Sequence, residues 1–161
     1  MKLYKIKKSN IDKRGLYATR DIKEGTKIIE YVGKIISKKE SSENNKFDNK
    51  KDIYLFNLNK RYDLDGNFKF NTARLINHSC DPNCEVIGRG YKLWISALRD
   101  IKKGEEISYD YGFSFDKDYK QFPCKCGEKN CVGYIVRLGS RWRINKKFKK
   151  QKTSISNFVQ K

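Results

Sequence analysis

Apolar residues in this chain fall in short runs, each closed by a polar or glycine-bearing stretch. Lys27–Val32, Ile53–Leu58 and Tyr91–Leu98 are rich in β-branched and aromatic residues and have the boundaries expected of strands. Asp65-Gly66 and Gly88-Arg89-Gly90 read as turns between such runs. No segment sustains an apolar repeat of helical period. Lys38–Lys50, polar and rich in Asn, Ser and Lys, reads as a surface insertion or a short helix. The pattern predicts many short strands and few helices.

An internal echo sharpens this. Residues 18–28 read A-T-R-D-I-K-E-G-T-K-I, and residues 97–107 read A-L-R-D-I-K-K-G-E-E-I. In each copy a strand ends at Ala, a charged turn with Lys and Gly follows, and a second strand starts near Ile. Two copies are too few for a solenoid, so they predict two similar hairpin-like corners in one β-rich domain.

Composition changes the picture in two respects. Among 161 residues are ten Tyr and nine Phe, which bury enough area to build one small core despite a polar average. The net charge is +18, and the stretch from Arg137 to Lys161 has nine basic and no acidic residues. That tail reads as a solvated arm attracted to polyanions, nucleic acid foremost. No apolar run is long enough for a signal peptide or a membrane span. The five cysteines therefore read as thiols or metal ligands of an intracellular protein.

Cys124, Cys126 and Cys131 form C-x-C-x4-C, close enough to wrap one zinc ion; Cys80 or Cys84 must supply the fourth ligand of a closed site. His78, the only histidine, lies in A-R-L-I-N-H-S-C-D-P-N-C at 73–84. Taken alone it is as much a satisfied core group as a catalytic one, and no nucleophile or acid signal accompanies it.

Five segments occur in order: Arg14-Gly15-Leu16-Tyr17-Ala18; Glu30-Tyr31-Val32-Gly33; Tyr54-Leu55-Phe56; Asn77-His78-Ser79-Cys80-Asp81-Pro82-Asn83; and Gly104-Glu105-Glu106-Ile107-Ser108-Tyr109-Asp110-Tyr111-Gly112. Together they resemble the SET-domain protein lysine methyltransferases. The C-x-C-x4-C after them resembles that family's post-SET zinc motif. The resemblance runs from about Lys2 to Val136 and leaves the final 25 residues unexplained.

It implies a mostly β fold of small antiparallel sheets, with the Asn-His segment passing under a later stretch as a pseudoknot. It divides the chain into a SET domain at 1–113, a post-SET zinc segment at 114–136 and a basic tail at 137–161. It implies transfer of methyl from S-adenosylmethionine to a lysine amine, on a histone or another chromosomal protein, and hence a nuclear or chromosome-associated location. Position by position, the backbone of Arg14, Gly15 and Leu16 corresponds to the cofactor turn, where a glycine permits close approach. Asn77 and His78 correspond to the pair that holds the cofactor through backbone groups. Tyr54 corresponds to an aromatic where cofactor and target lysine meet, and Tyr111 to the tyrosine at the transfer point. Tyr109 corresponds to a position where a hydroxyl favours stopping at one methyl. Cys80 is the implied partner of Cys124, Cys126 and Cys131 on zinc.

Two residues depart from the pattern. Lys13 and Phe70 stand where glycines are usual, both at the cofactor rim. The high positive charge also opposes a basic histone tail unless local acidic groups or a nucleic-acid bridge offset it. A different class, a catalytically silent, zinc-stapled module binding chromatin or nucleic acid, shares the tail and the cysteines; retention of Asn77, His78, Tyr54 and Tyr111 argues for the enzyme.

Overall fold

The computed structural model describes residues 2–44, 46 and 54–148. In chain order its strands are β1 (Tyr4–Lys8), β2 (Arg14–Ala18), β3 (Lys27–Tyr31), β4 (Lys34–Ser37), β5 (Leu55–Asn57), β6 (Tyr62–Asp65), β7 (Asn77–His78), β8 (Cys84–Arg89), β9 (Lys92–Ala97) and β10 (Glu106–Tyr109). The larger sheet has the spatial order β1-β2-β10-β8-β9-β3, with β7 beside β10; the smaller is β4-β6-β5. Pairing is antiparallel throughout, except that β10 runs parallel to β7 and β8. The two stretches expected to cross thus lie side by side.

Three expected strands are present, at β3, β5 and β9; Ile53, at the start of the second, lies outside the described residues. The turn expected at Gly88-Arg89-Gly90 is tighter than its glycines suggest. Gly88 and Arg89 continue β8, Arg89 pairs with Lys92, and the loop is Gly90-Tyr91 with Gly90 at φ +66°. A two-residue loop of this kind fits the twist of the strands it joins. Of the polar insertion, Lys38–Glu43 forms the one α-helix of the described residues, α1, capped by Ser37, whose Oγ accepts from Glu40 N at 3.1 Å. Asn45 and residues 47–50 of that insertion lie outside the described residues.

The two echoed corners do not form hairpins of their own; they pair with each other. Ile22 and Ile101 exchange both backbone hydrogen bonds at 2.8 Å. Gly25 N donates to Ala97 O as Gly104 N donates to Ala18 O. Asp100 accepts from Glu24 N and Lys23 Nζ, and Asp21 from Lys103 N and Lys102 Nζ. Each bond has its twin under exchange of the copies, so the echo is a local two-fold device. It draws β2 and β10 together at one end and β3 and β9 at the other. Leu16, Ala18, Ile22, Phe56, Leu93, Ile95, Ile101 and Ile107 are buried in the core behind it.

From Phe113 to Val136 the chain has no strand and is held by aromatic pairs: Phe113–Phe122, Phe115–Tyr119 and Tyr119–Tyr134, with ring centroids 4.7–5.1 Å apart. The expectation of a solvated arm from Arg137 onward is corrected for Leu138–Arg143. Leu138–Arg143 forms a 3₁₀ turn packed on the domain, and Arg141 is only 1 % exposed. A guanidinium enters the interior because all its directions find acceptors: Val136 O, Cys80 O and the Asp110 carboxylate. Residues 149–161 of the tail lie outside the described residues. No helix among those described is long and apolar enough to cross a membrane.

Candidate active site and metal centre

The turn between β1 and β2 closes through Ser9 N to Lys13 O, and Lys13 holds φ +36°, a conformation that favours glycine. The Asn77 side chain fixes this turn from β7. Its amide nitrogen lies 3.2 Å from Arg14 O, 3.4 Å from Asp12 O, 3.1 Å from Ser9 Oγ and 2.8 Å from Glu106 Oε1. Glu106, on β10, also accepts from Ser9 Oγ and from the Tyr17 hydroxyl at 2.7 Å. Burial and this bond to a carboxylate raise the Tyr17 pKa.

Gly15 has a more local reason to be glycine than the one expected. A Cβ there would lie 2.2 Å from Glu106 Oε1 and 3.2 Å from the Asn77 amide. The missing side chain makes room for the Glu106–Asn77 pair. Leu16 is fully buried in the core, opposite Ile6 on one side and Ile107 on the other. Residues 14–16 thus offer a site their backbone alone, with the exception of the exposed Arg14 side chain.

β7 next to β10 brings Asn77-His78 against Ser108-Tyr109. His78 is buried, and its Nδ1 accepts from Tyr111 N at 3.1 Å. That bond assigns the ring proton to Nε2, which faces Cys80 Sγ at 3.5 Å. The Tyr111 hydroxyl donates to Ile76 O at 2.8 Å. The Tyr111 ring lies 4.9 Å from Tyr109 and 5.3 Å from His78, centroid to centroid. Tyr109 stacks on Phe56, and Phe56 meets Tyr31 edge-on at 4.6 Å.

Tyr54 joins the group at the start of β5. Its carbonyl accepts from Gly66 N and the Tyr31 hydroxyl, and the Arg74 guanidinium sits 5.5 Å over its ring. Burial above all raises the pKa of Tyr109 and Tyr31 well beyond the ordinary phenol value; the nearby phenols of Tyr111 and Tyr54 push both the same way. Four tyrosines therefore converge beside His78, two of them locked in the neutral form. Tyr31 was not among the residues singled out from sequence, although it lies in the Glu30–Gly33 segment.

Phe70 is exposed and stacks on Phe68 at 5.1 Å, and between them and the site the buried Asn71 holds Gly66 O with its amide. Substitution of the usual glycine by Phe70 therefore leaves an aromatic on the surface and the framework behind it intact.

The cysteines expected to share a metal come together. The sulfurs of Cys80, Cys124, Cys126 and Cys131 all lie within 4.8 Å of one another and could hold a metal ion. Zn–S bonds of about 2.3 Å place sulfurs about 3.8 Å apart in a tetrahedron, and Cys80 Sγ lies 3.9 Å from Cys124 Sγ. The donor set fits. Cys124 is pulled down to about 3 by its hydrogen bond with Cys80, whose own pKa is driven up by the same bond. Cys84 is buried elsewhere, raised to about 12 by desolvation, and is no part of the cluster.

The SET-domain sequence profile matches residues 13–112, a span that takes in β2 through β10 and stops short of the clustered cysteines after Phe113. The chain belongs to the SET-domain family. Curated relatives agree. This SET domain is 38 % identical over 135 residues to a histone-lysine N-methyltransferase trithorax of Drosophila virilis. It is 39 % identical over 132 residues to human histone-lysine N-methyltransferase 2D, and 42 % identical over 137 residues to histone-lysine N-methyltransferase set1 of Dictyostelium discoideum. These matches cover 78–81 % of this chain but only 2–9 % of the relatives, which are far longer.

Besides Tyr31, three residues that shape the site were missed from sequence. Glu106 lay in plain view inside the Gly104–Gly112 segment, but only its contact with Gly15 and Asn77 gives it a role. Asp110 stands between the two tyrosines of that segment. Arg141 had no signal at all: one arginine among nine basic residues in an apparent tail.

Proposed function

We propose that this SET domain transfers methyl groups from S-adenosylmethionine to a lysine side chain of a histone or another chromosomal protein. The observation that carries the reading is the convergence of Tyr31, Tyr54, Tyr109 and Tyr111 beside Asn77-His78, with the Tyr111 hydroxyl on Ile76 O. The relatives, named as histone-lysine N-methyltransferases, support the substrate class.

S-adenosylmethionine, when bound, supplies a methyl group made electrophilic by its sulfonium. Backbone atoms of 14–16 and 77–78 would hold it, and the Asn77 side chain, engaged with Arg14 O, Asp12 O and Glu106, keeps that turn in place. Ile76 O and the Tyr111 oxygen, 2.8 Å apart, present lone pairs where polarised C–H groups pass; such contacts contribute about 0.5–1 kcal/mol each. A lysine amine with a pKa near 10.4 is neutral in only about one molecule in two thousand at pH 7. An aromatic passage lined by Tyr54 and Tyr109 favours that neutral form by desolvation. Tyr111 orients and stabilises; with its hydroxyl engaged on a carbonyl it is not required as a base. Tyr109, whose hydroxyl remains protonated, can hold a water in the space a growing methylamine would need and so favours a single methyl.

Cys80, Cys124, Cys126 and Cys131 would hold zinc, and their shared site would tie the segment after Phe113 to the Asn77–Cys80 motif beside His78. The tail supplies a polyanion contact: Arg143 and Lys146 flank Trp142, at 5.4 and 5.0 Å from its ring, and Lys147 is exposed beyond them. Nuclear or chromosomal location follows from the substrate.

The test is methyl transfer from labelled S-adenosylmethionine to a histone mixture, with cofactor binding by calorimetry. Tyr111→Phe should bind cofactor and lose turnover by roughly 10²-fold or more, and Tyr109→Phe should shift the product to higher methylation by mass spectrometry. Wild-type turnover in Tyr111→Phe sinks the transfer-site assignment. Absence of both binding and transfer in the native chain favours a silent chromatin module.

A further inference from the structure

Arg141 lies beyond every segment that carried the family resemblance, yet among the described residues it is the one buried lysine or arginine. Its three bonds are directed at the site. Nη1 donates to Cys80 O at 2.6 Å, Nε to Val136 O at 2.9 Å, and Nη2 to Asp110 Oδ2 at 2.8 Å. Asp110 separates Tyr109 from Tyr111. Its Oδ2 also accepts from Leu138 N, and its Oδ1 accepts from Gly112 N and stands 3.8 Å from His78 Nδ1. That same Nδ1 accepts from Tyr111 N.

The peptide units on both sides of Tyr111 are therefore held, one by His78 and one by Asp110, and Gly112 takes φ +72° to allow it. Arg141 fixes the carboxylate that does half of this. A guanidinium of fixed fork geometry can serve Cys80 O, Val136 O and Asp110 at once; an ammonium cannot. The cost of desolvating this charge is offset only if the carboxylate and both carbonyls stay in place, so the pair tolerates little slack.

We propose that Arg141 is a positioning residue for methyl transfer: through Asp110 it sets the backbone that carries Tyr111, and the 3₁₀ turn Leu138–Arg143 is a working part of the catalytic wall. This rests on the reading that Tyr111 stands at the transfer point. It is independent of the metal, since no sulfur takes part, although Cys80 O links the two.

The experiment uses the full chain as purified with its metal, and compares Arg141→Lys, Asp110→Asn, their double variant, Tyr111→Phe and Ile101→Val. Ile101→Val, at the bridge with Ile22 and outside the hydrogen bonds of Arg141 and Asp110, is a core control for a general loss of stability. Arg141→Lys should lower kcat by roughly 10- to 100-fold, with KM for S-adenosylmethionine and bound metal within about twofold of the native chain. Asp110→Asn should do the same, and the double variant should be no worse than the lower single. Should Arg141→Lys fail to fold, the same split in Asp110→Asn carries the test. The proposal is overturned if kcat is native, if its loss matches that of Ile101→Val at equal loss of melting temperature, or if the two single effects multiply. Full turnover in Tyr111→Phe would instead overturn the reading of the transfer point. Loss in Tyr111→Phe without loss in Arg141→Lys overturns only the role of Arg141.

Discussion

Glycine and carboxylate at positions 15 and 106 form one unit, with neither explicable alone. Gly15 is glycine because Glu106 and Asn77 occupy the volume a Cβ would take, and the Glu106 carboxylate stays in that volume because Ser9, Tyr17 and Asn77 all donate toward it. The same carboxylate thus ties the β1–β2 turn to β7 and β10. Gly15→Ala should cost about 1–3 kcal/mol in urea unfolding, since the methyl group displaces a hydrogen-bonded carboxylate instead of a flexible chain end. A change below about 0.5 kcal/mol, the level of an ordinary surface substitution, would contradict this account of the position. Lys13, two residues earlier, has a positive φ without glycine's freedom, so the turn carries backbone strain at that position.

At the scale of elements, the paired corners explain how so many short strands hold together. A strand of four or five residues has few hydrogen bonds, and β2, β3, β9 and β10 each begin or end where the two copies of Arg-Asp-Ile-Lys-x-Gly meet. The reciprocal Asp21 and Asp100 bonds lower the pKa of both carboxyls, chiefly through the backbone donor Lys103 N and the Lys23 ammonium respectively. Their apolar partners sit beneath: Ile22 and Ile101 are both buried. Ile22→Ala and Ile101→Ala should each cost about 2–4 kcal/mol. The double variant should cost less than the sum, because directly opposed side chains share contacts. Strict additivity in chemical denaturation would show that the corners act as separate hairpins. The short strand β7 is held by parallel pairing to β10 and by the side-chain bonds of Asn77 and His78.

For the molecule as a whole, the core and the metal centre are distinct sources of order. All the residues of the main hydrophobic cluster lie between Leu16 and Tyr109, whereas three of the four clustered thiols come after Phe113. A strong chelator should therefore abolish turnover and expose four thiols to titration while the β-sheet circular dichroism persists. Cys84 should stay unreactive until the chain unfolds, and loss of the sheet signal together with the metal would show one cooperative unit. Alkaline stability has a predictable sign. The Cys84 thiol is raised by burial from 9.0 to about 12, and Tyr31 and Tyr109 are raised above 10.0. Their neutral forms are the ones the fold accommodates, so their contribution is complete below about pH 9 and is lost as pH rises toward 12. Urea midpoints measured from about pH 8 to 11 should fall, and a flat profile would mean these groups ionise freely in the folded state.

Much of the site is legible in the sequence, because its chemistry sits in contiguous segments. Arg14–Ala18, Asn77–Asn83 and Gly104–Gly112 announce themselves by order and spacing, and the strand pattern comes from short β-branched and aromatic runs closed by turn residues, a property of neighbouring residues. The sequence by itself determined the family, the cysteine set and the β-rich class. It could not determine which carboxylate faces Gly15, that the echoed corners bind each other, or that Arg141 leaves the basic tail for the interior. The corners meet across 76 to 82 positions and Arg141 reaches Asp110 across 31, and no local pattern encodes such contacts. Only the tertiary fold decides that one guanidinium in a solvated-looking stretch meets three acceptors at once, which offset the cost of its desolvation.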